Sequence, residues 1–277
     1  MKVAFGTVVY PGALKFFSGF LDSLASQTYS DFDLIVVAEA VSDSDKQSWF
    51  DNFAGKITIV DVPANNPIHQ NRVKLLEESY SRRYDLLILG DSDDTFALNR
   101  VEQIVGQFDP TFVAFYNQIE TLGSEVVFSD LPKITSEVEI LNSNYLGLSN
   151  TAINLTRLSP DFIESLNQGD TFCFDWYLYA RVLHECGLGK LVEGASTYYR
   201  IHGTNAAGLP SSCDLEKELR VKTDHYRLLS KHDQRYLFYY DVCKSLLSGE
   251  GCATAELTYT DPKYWWGRLC INGGKIN

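Results

Sequence analysis

The stretch Leu86-Leu87-Ile88-Leu89-Gly90-Asp91-Ser92-Asp93-Asp94 joins four consecutive aliphatic residues to three carboxylates within four positions. Four aliphatics without polar alternation read as a strand buried on both faces, and such strands belong to parallel sheets covered by helices. In open α/β sheets, ligands bind beyond the carboxyl ends of the strands, which is where these acids fall. Crowded carboxylates repel one another. A divalent cation that prefers hard oxygen, Mg²⁺ or Mn²⁺, relieves that repulsion. The alternative, capping of the next helix, accounts for one aspartate and leaves two.

Outward from this point the sequence alternates strand and helix signals. Upstream, the apolar run Val3 to Tyr10 breaks at Pro11-Gly12, and Phe16, Phe17, Phe20, Leu21 and Leu24 then recur at helical spacing. Leu34 to Ala38 reads as a second strand. Ser42, with Asp45 three residues on, forms a capping-box-like start for a helix carrying Trp49, Phe50 and Phe53. Ile57 to Val62 is a third strand, and the loop PANNP leads to a helix with Val73, Leu76 and Tyr80 on one face. Downstream come a helix with Val101, Ile104, Val105 and Phe108, and a strand at Phe112 to Tyr116. This rhythm predicts a mostly parallel sheet flanked by helices. Beyond residue 117 it loosens into a hairpin at Glu125 to Ser129, a strand near Thr151 to Leu155 and helices near 160–167 and 173–186. One long helix is then expected from about Asp214 to Leu247. The expected division is a catalytic domain over 1–210 and a helical extension over 211–277.

Composition narrows the function. With 36 acidic and 24 basic residues the net charge of −12 repels a phosphate backbone, so nucleic acid is not an expected partner. The imbalance lies in the first 212 residues, with 14 basic against 27 acidic, since residues 213–277 hold ten basic and nine acidic. The six cysteines lie in the second half without a CxxC pair, which favours reduced thiols over zinc ligands. No apolar run reaches the length of a membrane span, and MKVAFGTVVYPG lacks a signal-peptide pattern, so the expected location is cytoplasmic.

No G-x-G-x-x-G or Walker A loop follows a strand, so a nucleotide would have to be held through a metal. A cation bridging a diphosphate neutralises charge on that leaving group, the logic of transfer from a nucleotide sugar. Four segments carry a family resemblance: LDSLASQTY (Leu21 to Tyr29) before DLIVVAE, DSDDTFALNR (Asp91 to Arg100), DWYLYARVLHECG (Asp175 to Gly187) and YYRIHGTNAAG (Tyr198 to Gly208). In this order they resemble family 2 glycosyltransferases of the GT-A fold, particularly the bacterial rhamnosyltransferase-like branch.

The resemblance implies an inverting, metal-dependent transfer from a nucleoside-diphosphate sugar to a glycan or lipid-linked acceptor, in bacterial surface polysaccharide synthesis. It makes Asp93 the principal metal ligand and His202 its companion at the diphosphate. Asp91 and Ser92 would meet the nucleotide or metal-bound water. Asp175 would be the general base that takes the acceptor proton, and Trp176 would wall the acceptor site, although a tryptophan is commonly core. Glu39 would accept from the base, but Ala40 replaces the family's second acid there. Asn71 matches the family's loop, whereas Arg72 is displaced by one position and reads equally as a solvated helix residue. Thr7 and Tyr10 would line the base pocket or simply pack the strand.

Two rival functions stand beside this one. LLILGDSDDT also fits a haloacid-dehalogenase-like phosphatase with Asp91 as nucleophile, Asp93 as acid and Gly169-Asp170 to Asp175 as the downstream motif. A non-catalytic nucleotide-sugar-binding protein would share the fold without the chemistry. For the tail, the Tyr264-Trp265-Trp266 cluster suggests peripheral contact with the inner face of the cell membrane, set against docking on the core or a homodimer contact.

Overall fold

The computed structural model describes residues 1–273 apart from 54, 124, 129, 204–206, 213 and 251–254, and leaves the side chains of residues 51 and 52 undescribed. The first half forms the expected units: β1 (Val3–Val9), α1 (Leu14–Ala25), β2 (Asp33–Glu39), α2 (Asp43–Asn52), β3 (Ile57–Val62), α3 (Ile68–Ser81) and β4 (Leu86–Leu89). These strands pair in parallel in the spatial order β3-β2-β1-β4. Next come β5 (Thr95–Phe96), α4 (Arg100–Gly106), β6 (Ala114–Thr121), β7 (Ile134–Thr135), β8 (Thr151–Asn154), α5 (Pro160–Ser165), α6 (Phe174–Glu185) and β9 (Gly189–Tyr199). They extend the sheet beyond β4 as β8-β6-β9-β5, with β8 antiparallel to both of its neighbours and β7 paired to β9.

Period-two alternation along the strands divides the core in two. Ala4, Ile35, Val37, Leu87 and Leu89 join one apolar cluster, while Val3, Phe5, Leu34, Val36 and Ile88 join the other. Helix α1 covers the second face with Phe17, Phe20, Leu21 and Leu24, as its spacing predicts. Helix α3 covers the first with Val73 and Leu76. The start of α2 is capped by Ser42, whose Oγ accepts from the Asp45 N–H at 3.2 Å.

Several expectations need correction. The strand placed at Phe112 to Tyr116 begins two residues later and continues to Thr121. The hairpin after it is a short return in which Glu120 bridges Val126; Ser129 lies outside the described residues. Strand β9, eleven residues long, was not expected at all. The single long C-terminal helix is two, α7 (Leu215–Leu229) and α8 (Tyr236–Ser248). The turn between them shifts the helical phase, so Tyr236, Tyr239 and Val242 face inward and Leu237 is exposed. A two-stranded antiparallel ribbon, β10 (Glu256–Tyr259) and β11 (Leu269–Asn272), follows.

The tail shares its core with the sheet: Leu219, Tyr226, Tyr239, Trp265 and Ile271 belong to the same cluster as Leu87 and Leu89. Trp265 and Trp266 are only 6% and 3% exposed, so these two rings dock on the core, one of the readings open for the cluster. No helix among the described residues is long and apolar enough to cross a membrane. A buried ion pair ties the ribbon down. Glu218 accepts from the backbone N–H groups of Arg268 (3.1 Å) and Leu269 (2.7 Å), and Lys222 Nζ lies 3.5 Å from the same carboxylate. Lys222 also donates to the carbonyls of Asn142 and Leu269.

Cys186, Cys243 and Cys270 are free thiols and Cys173 is buried; Cys213 and Cys252 lie outside the described residues. Burial pushes Cys186 up to about 11 and Cys243 up to about 12, so both stay protonated and chemically quiet near neutrality.

Candidate active site

Gly90 follows β4 at a point where no side chain fits, since a Cβ there would sit 2.5 Å from the Phe96 ring and 2.8 Å from that of Phe5. The chain then turns, with the Asp94 N–H donating to the Asp91 carbonyl at 3.1 Å. That turn sends Asp91, Ser92 and Asp93 to a cleft of about 430 Å³ and sends Asp94 inward, to 1% exposure.

Asp94 serves as a fastener. Its Oδ1 accepts from the Arg200 N–H at 2.8 Å, and the Arg200 Nε donates to the Asp93 carbonyl at 2.8 Å. These two bonds lock the residues after β9 onto the acidic turn. His202 is thereby delivered to Asp93, with Nε2 and Oδ2 2.7 Å apart, and its ring stacks on Phe16 at 5.2 Å. Burial, then repulsion from Asp93 and Asp91, holds the Asp94 carboxyl well above the usual carboxylate range. Beneath the turn lies Arg100, wholly buried, which donates to Asn117 Oδ1 and the Leu89 carbonyl. Burial pulls its guanidinium down to about 9, and Asp94 works against that pull.

Across the cleft, Asp175 occupies the first turn of α6 and accepts from the Trp176 N–H at 2.9 Å. Burial raises its pKa and the Arg72 guanidinium opposes the rise. Arg72 also faces Asp91, with Nη2 3.8 Å from Oδ1. Asp91 is pushed up to about 6, chiefly by burial, with Arg72 opposing and Asp93 and Asp175 adding repulsion. One guanidinium thus answers two acids of the cleft. The helical face Ile68, Asn71, Arg72, Leu75, at i, i+3, i+4 and i+7, is the signal that could have placed Arg72 here.

Of the residues singled out in the sequence, Tyr10, Glu39, Asn71, Asp91, Ser92, Asp93, Asp175 and His202 line this cleft. Glu39 and Asn71 first hold their own loop. Glu39 accepts from the Asn65 N–H (2.9 Å) and from Asn71 Nδ2 (2.8 Å), and Asn71 Oδ1 accepts from Asn66 (2.6 Å). Each Glu39 oxygen keeps a second lone pair for a ligand. Thr7 does not reach the cleft; it lies beneath, fully buried, and lines a small void under Asp91.

Trp176 does not reach it either. Its indole N–H donates to the Ile140 carbonyl at 2.7 Å and its ring stacks on His225 at 4.0 Å, wholly out of solvent. Adjacent helical residues point about 100° apart, so an Asp175 that faces the cleft turns Trp176 into the core. The aromatic wall comes instead from Phe172, Trp265 and Trp266, which sequence reasoning missed. Of the phosphatase alternative's residues, Asp91, Asp93 and Asp175 line the cleft, and Asp170 at the start of its downstream motif does not. Asp170 is 90% exposed at its side chain and sits 3.5 Å from His69.

A divalent cation fits the residues present. Asp93 and His202 converge on one point, with the Asp91 carboxylate adding negative charge beside them. Among the described residues no group of three or more His, Cys, Asp or Glu side chains is placed to hold a metal ion. Mg²⁺-type ions are commonly held by one or two protein groups, with substrate phosphates completing the shell, so an open pair suits them.

No family model matches the sequence, and no curated protein matches it. Solved structures do. The chain is similar to Staphylococcus aureus TarS 1-349 in complex with UDP-GlcNAc, with a TM-score of 0.61 at 13% identity over 89% of this chain and 73% of that one. It is similar to the mannosyltransferase PcManGT from Pyrobaculum calidifontis, in complex with GDP-Man and Mn²⁺, with a TM-score of 0.54 at 12% identity over 91% and 76% of the two chains. GalNAc-T7 with UDP, GalNAc and Mn²⁺ gives a TM-score of 0.61 at 10% identity over 90% and 51%. The chain therefore has the GT-A fold that these glycosyltransferases share.

Proposed function

We propose that this protein is an inverting, metal-dependent glycosyltransferase that moves a sugar from a nucleoside-diphosphate donor to an acceptor hydroxyl. The observation that carries the reading is one cleft lined by the Asp93–His202 pair and by Asp175. The motifs shared with the rhamnosyltransferase-like branch of family 2 support a hexosyl or deoxyhexosyl donor. They also support a part in building a bacterial surface polysaccharide, on a free or lipid-linked glycan.

In this mechanism Asp93 and His202 would hold a Mn²⁺ or Mg²⁺ ion, which when bound would offset the charge gained by the departing diphosphate. Glu39 and the loop it fastens receive the base. Asp175 takes the proton from the acceptor hydroxyl as that oxygen bonds to the anomeric carbon. The carbon's bond to the diphosphate oxygen breaks on the opposite face, and the nucleoside diphosphate leaves with the electron pair. Burial makes Asp175 a stronger base than a free aspartate, and the Arg72 guanidinium opposes that rise.

Calorimetry with UDP- and GDP-sugars, with and without Mn²⁺, tests the proposal. At least one donor should bind only with the metal, and His202→Ala should weaken that binding. Asp175→Asn should keep donor affinity and lose roughly 10²- to 10⁴-fold in transfer rate. Metal-independent binding of every donor, or full transfer by Asp175→Asn, would remove the mechanism.

A further inference from the structure

We propose that Tyr199 is a further catalytic residue of this cleft, its phenol donating a hydrogen bond to the diphosphate oxygen that leaves the anomeric carbon. This inference rests on the transferase reading of the same cleft and adds to it a residue to which that reading gives no role.

Backbone and ring alike hold Tyr199 in place. It ends β9, pairs with Thr121 of β6 and lines the cleft. The next residue gives its N–H to Asp94 Oδ1, and three residues on, His202 meets Asp93. The tyrosine ring packs on that of Trp265, with centroids 6.1 Å apart, and the Trp265 indole N–H is itself anchored on the Gly208 carbonyl at 2.9 Å. A side chain braced in this way is aimed before any ligand arrives.

Its hydroxyl, by contrast, bonds to nothing in the protein. Tyrosine hydroxyls withdrawn from bulk solvent ordinarily find a partner. In the core cluster on which Tyr199 packs, Tyr116 donates to the Pro132 carbonyl, Tyr145 pairs with Thr135, and Tyr179 donates to Thr151 Oγ1. The half-buried Tyr199 makes no such bond among the described residues, and its side chain faces the cleft. Burial, then repulsion from Asp94, Asp91, Asp93 and Asp175, raises its pKa, so the phenol keeps its proton and stays a donor. Those acids include both Asp93 of the proposed metal pair and the assigned base, so the hydroxyl stands within electrostatic reach of both. In the proposed transfer, the bond that breaks lies between them.

The chemistry gives the hydroxyl its use. In the intact donor the target oxygen is an ester bridge between phosphorus and carbon, and a weak acceptor. As its bond to the anomeric carbon breaks it keeps the electron pair and gains negative charge, and the hydrogen bond strengthens while the proton stays on Tyr199. An interaction that grows along the reaction lowers the barrier, whereas one of constant strength only holds the substrate.

The same logic supplies the test, because the free nucleoside diphosphate carries that oxygen in its charged form and the nucleotide sugar does not. Calorimetry with Mn²⁺ compares wild type with Tyr199→Phe, using UDP, GDP and a panel of UDP- and GDP-sugars. The variant keeps the ring and its contact with Trp265 and removes an oxygen that bonds nothing, so its melting temperature should match wild type. Affinity for the nucleoside diphosphate should fall roughly tenfold or more, while affinity for the nucleotide sugar stays within about twofold. With Mg²⁺ in place of Mn²⁺, the phosphorus NMR resonance of the bound β-phosphate should move between wild type and variant, and that of the α-phosphate should not. Equal losses for diphosphate and nucleotide sugar would show a structural role and overturn the inference, as would an unchanged diphosphate affinity. If nucleotides bind and the difference is missing, this inference alone fails; if neither series binds, the transferase reading falls and this falls with it.

Discussion

Replacing Glu218 by alanine should loosen the whole C-terminal ribbon. The carboxylate is 1% exposed and accepts two backbone N–H bonds from Arg268 and Leu269, while Lys222, wholly buried, has it as counter-charge at 3.5 Å. Hydrogen bonds to a charged group each contribute roughly 1.5–3 kcal/mol. Removing one partner of a buried pair costs about 3–5 kcal/mol, because the other charge is stranded. At roughly 2–4 °C per kcal/mol for a chain of this size, the melting temperature should fall by roughly 6–20 °C. Urea titration followed by circular dichroism measures the loss directly. The double variant Glu218→Ala/Lys222→Met should lose less than the sum of the two single variants, by roughly 1–3 kcal/mol. Strictly additive losses, or a Glu218→Ala variant within about 1 kcal/mol of wild type, would refute the claim that this pair acts as a unit.

Three other outcomes are expected. Asp91, at about 6 in the fold against 3.8 for the free side chain, binds more protons folded than unfolded between those values, so its contribution to stability falls as pH rises through that window. Asp91→Asn should therefore raise the melting temperature of the metal-free protein near pH ~7.5, and the gain should vanish by about pH 4 in a thermal-shift series. Gly90→Ala should cost roughly 1–3 kcal/mol in urea unfolding, since the new methyl meets the Phe96 and Phe5 rings. Asn71→Asp should destabilise by about 1–3 kcal/mol, because it trades the amide donated to Glu39 for a second carboxylate; stability equal to wild type would show that Asn71 does not hold this loop.

The β-α units up to α4 were legible because each apolar run keeps one period and ends at a marked break. Leu86 to Leu89 and the acids after it gave both the strand and the side of the sheet where the cleft opens. Strand β9 escaped because Glu193 and Gly194 interrupt its alternation: Gly194 takes φ +78°, and the pairing with β6 shifts register between Tyr116 and Gln118. The break between α7 and α8 carries neither glycine nor proline. There the Arg235 N–H and guanidinium both turn back to Asp233, and a carboxylate that folds its own backbone leaves a weak mark in sequence. Asp93 and His202 were paired through their motifs. Arg72 was passed over although its helical face with Ile68 and Asn71 pointed to the cleft, and Phe172 and Trp266 were missed because their meeting depends on contacts between distant segments, such as Asn144 with Trp265, that no local pattern encodes.

A nascent chain leaving the ribosome completes β4, the acidic turn and His202 well before the ribbon that supplies Trp265 and Trp266 has been made. Until then Lys222 and Glu218 have no backbone at Arg268 and Leu269 to engage, and the apolar face that later receives the indoles stays wet. Translation should therefore pass through a stage in which this half-finished hollow is exposed, and it is at this stage that chaperones would find the polypeptide.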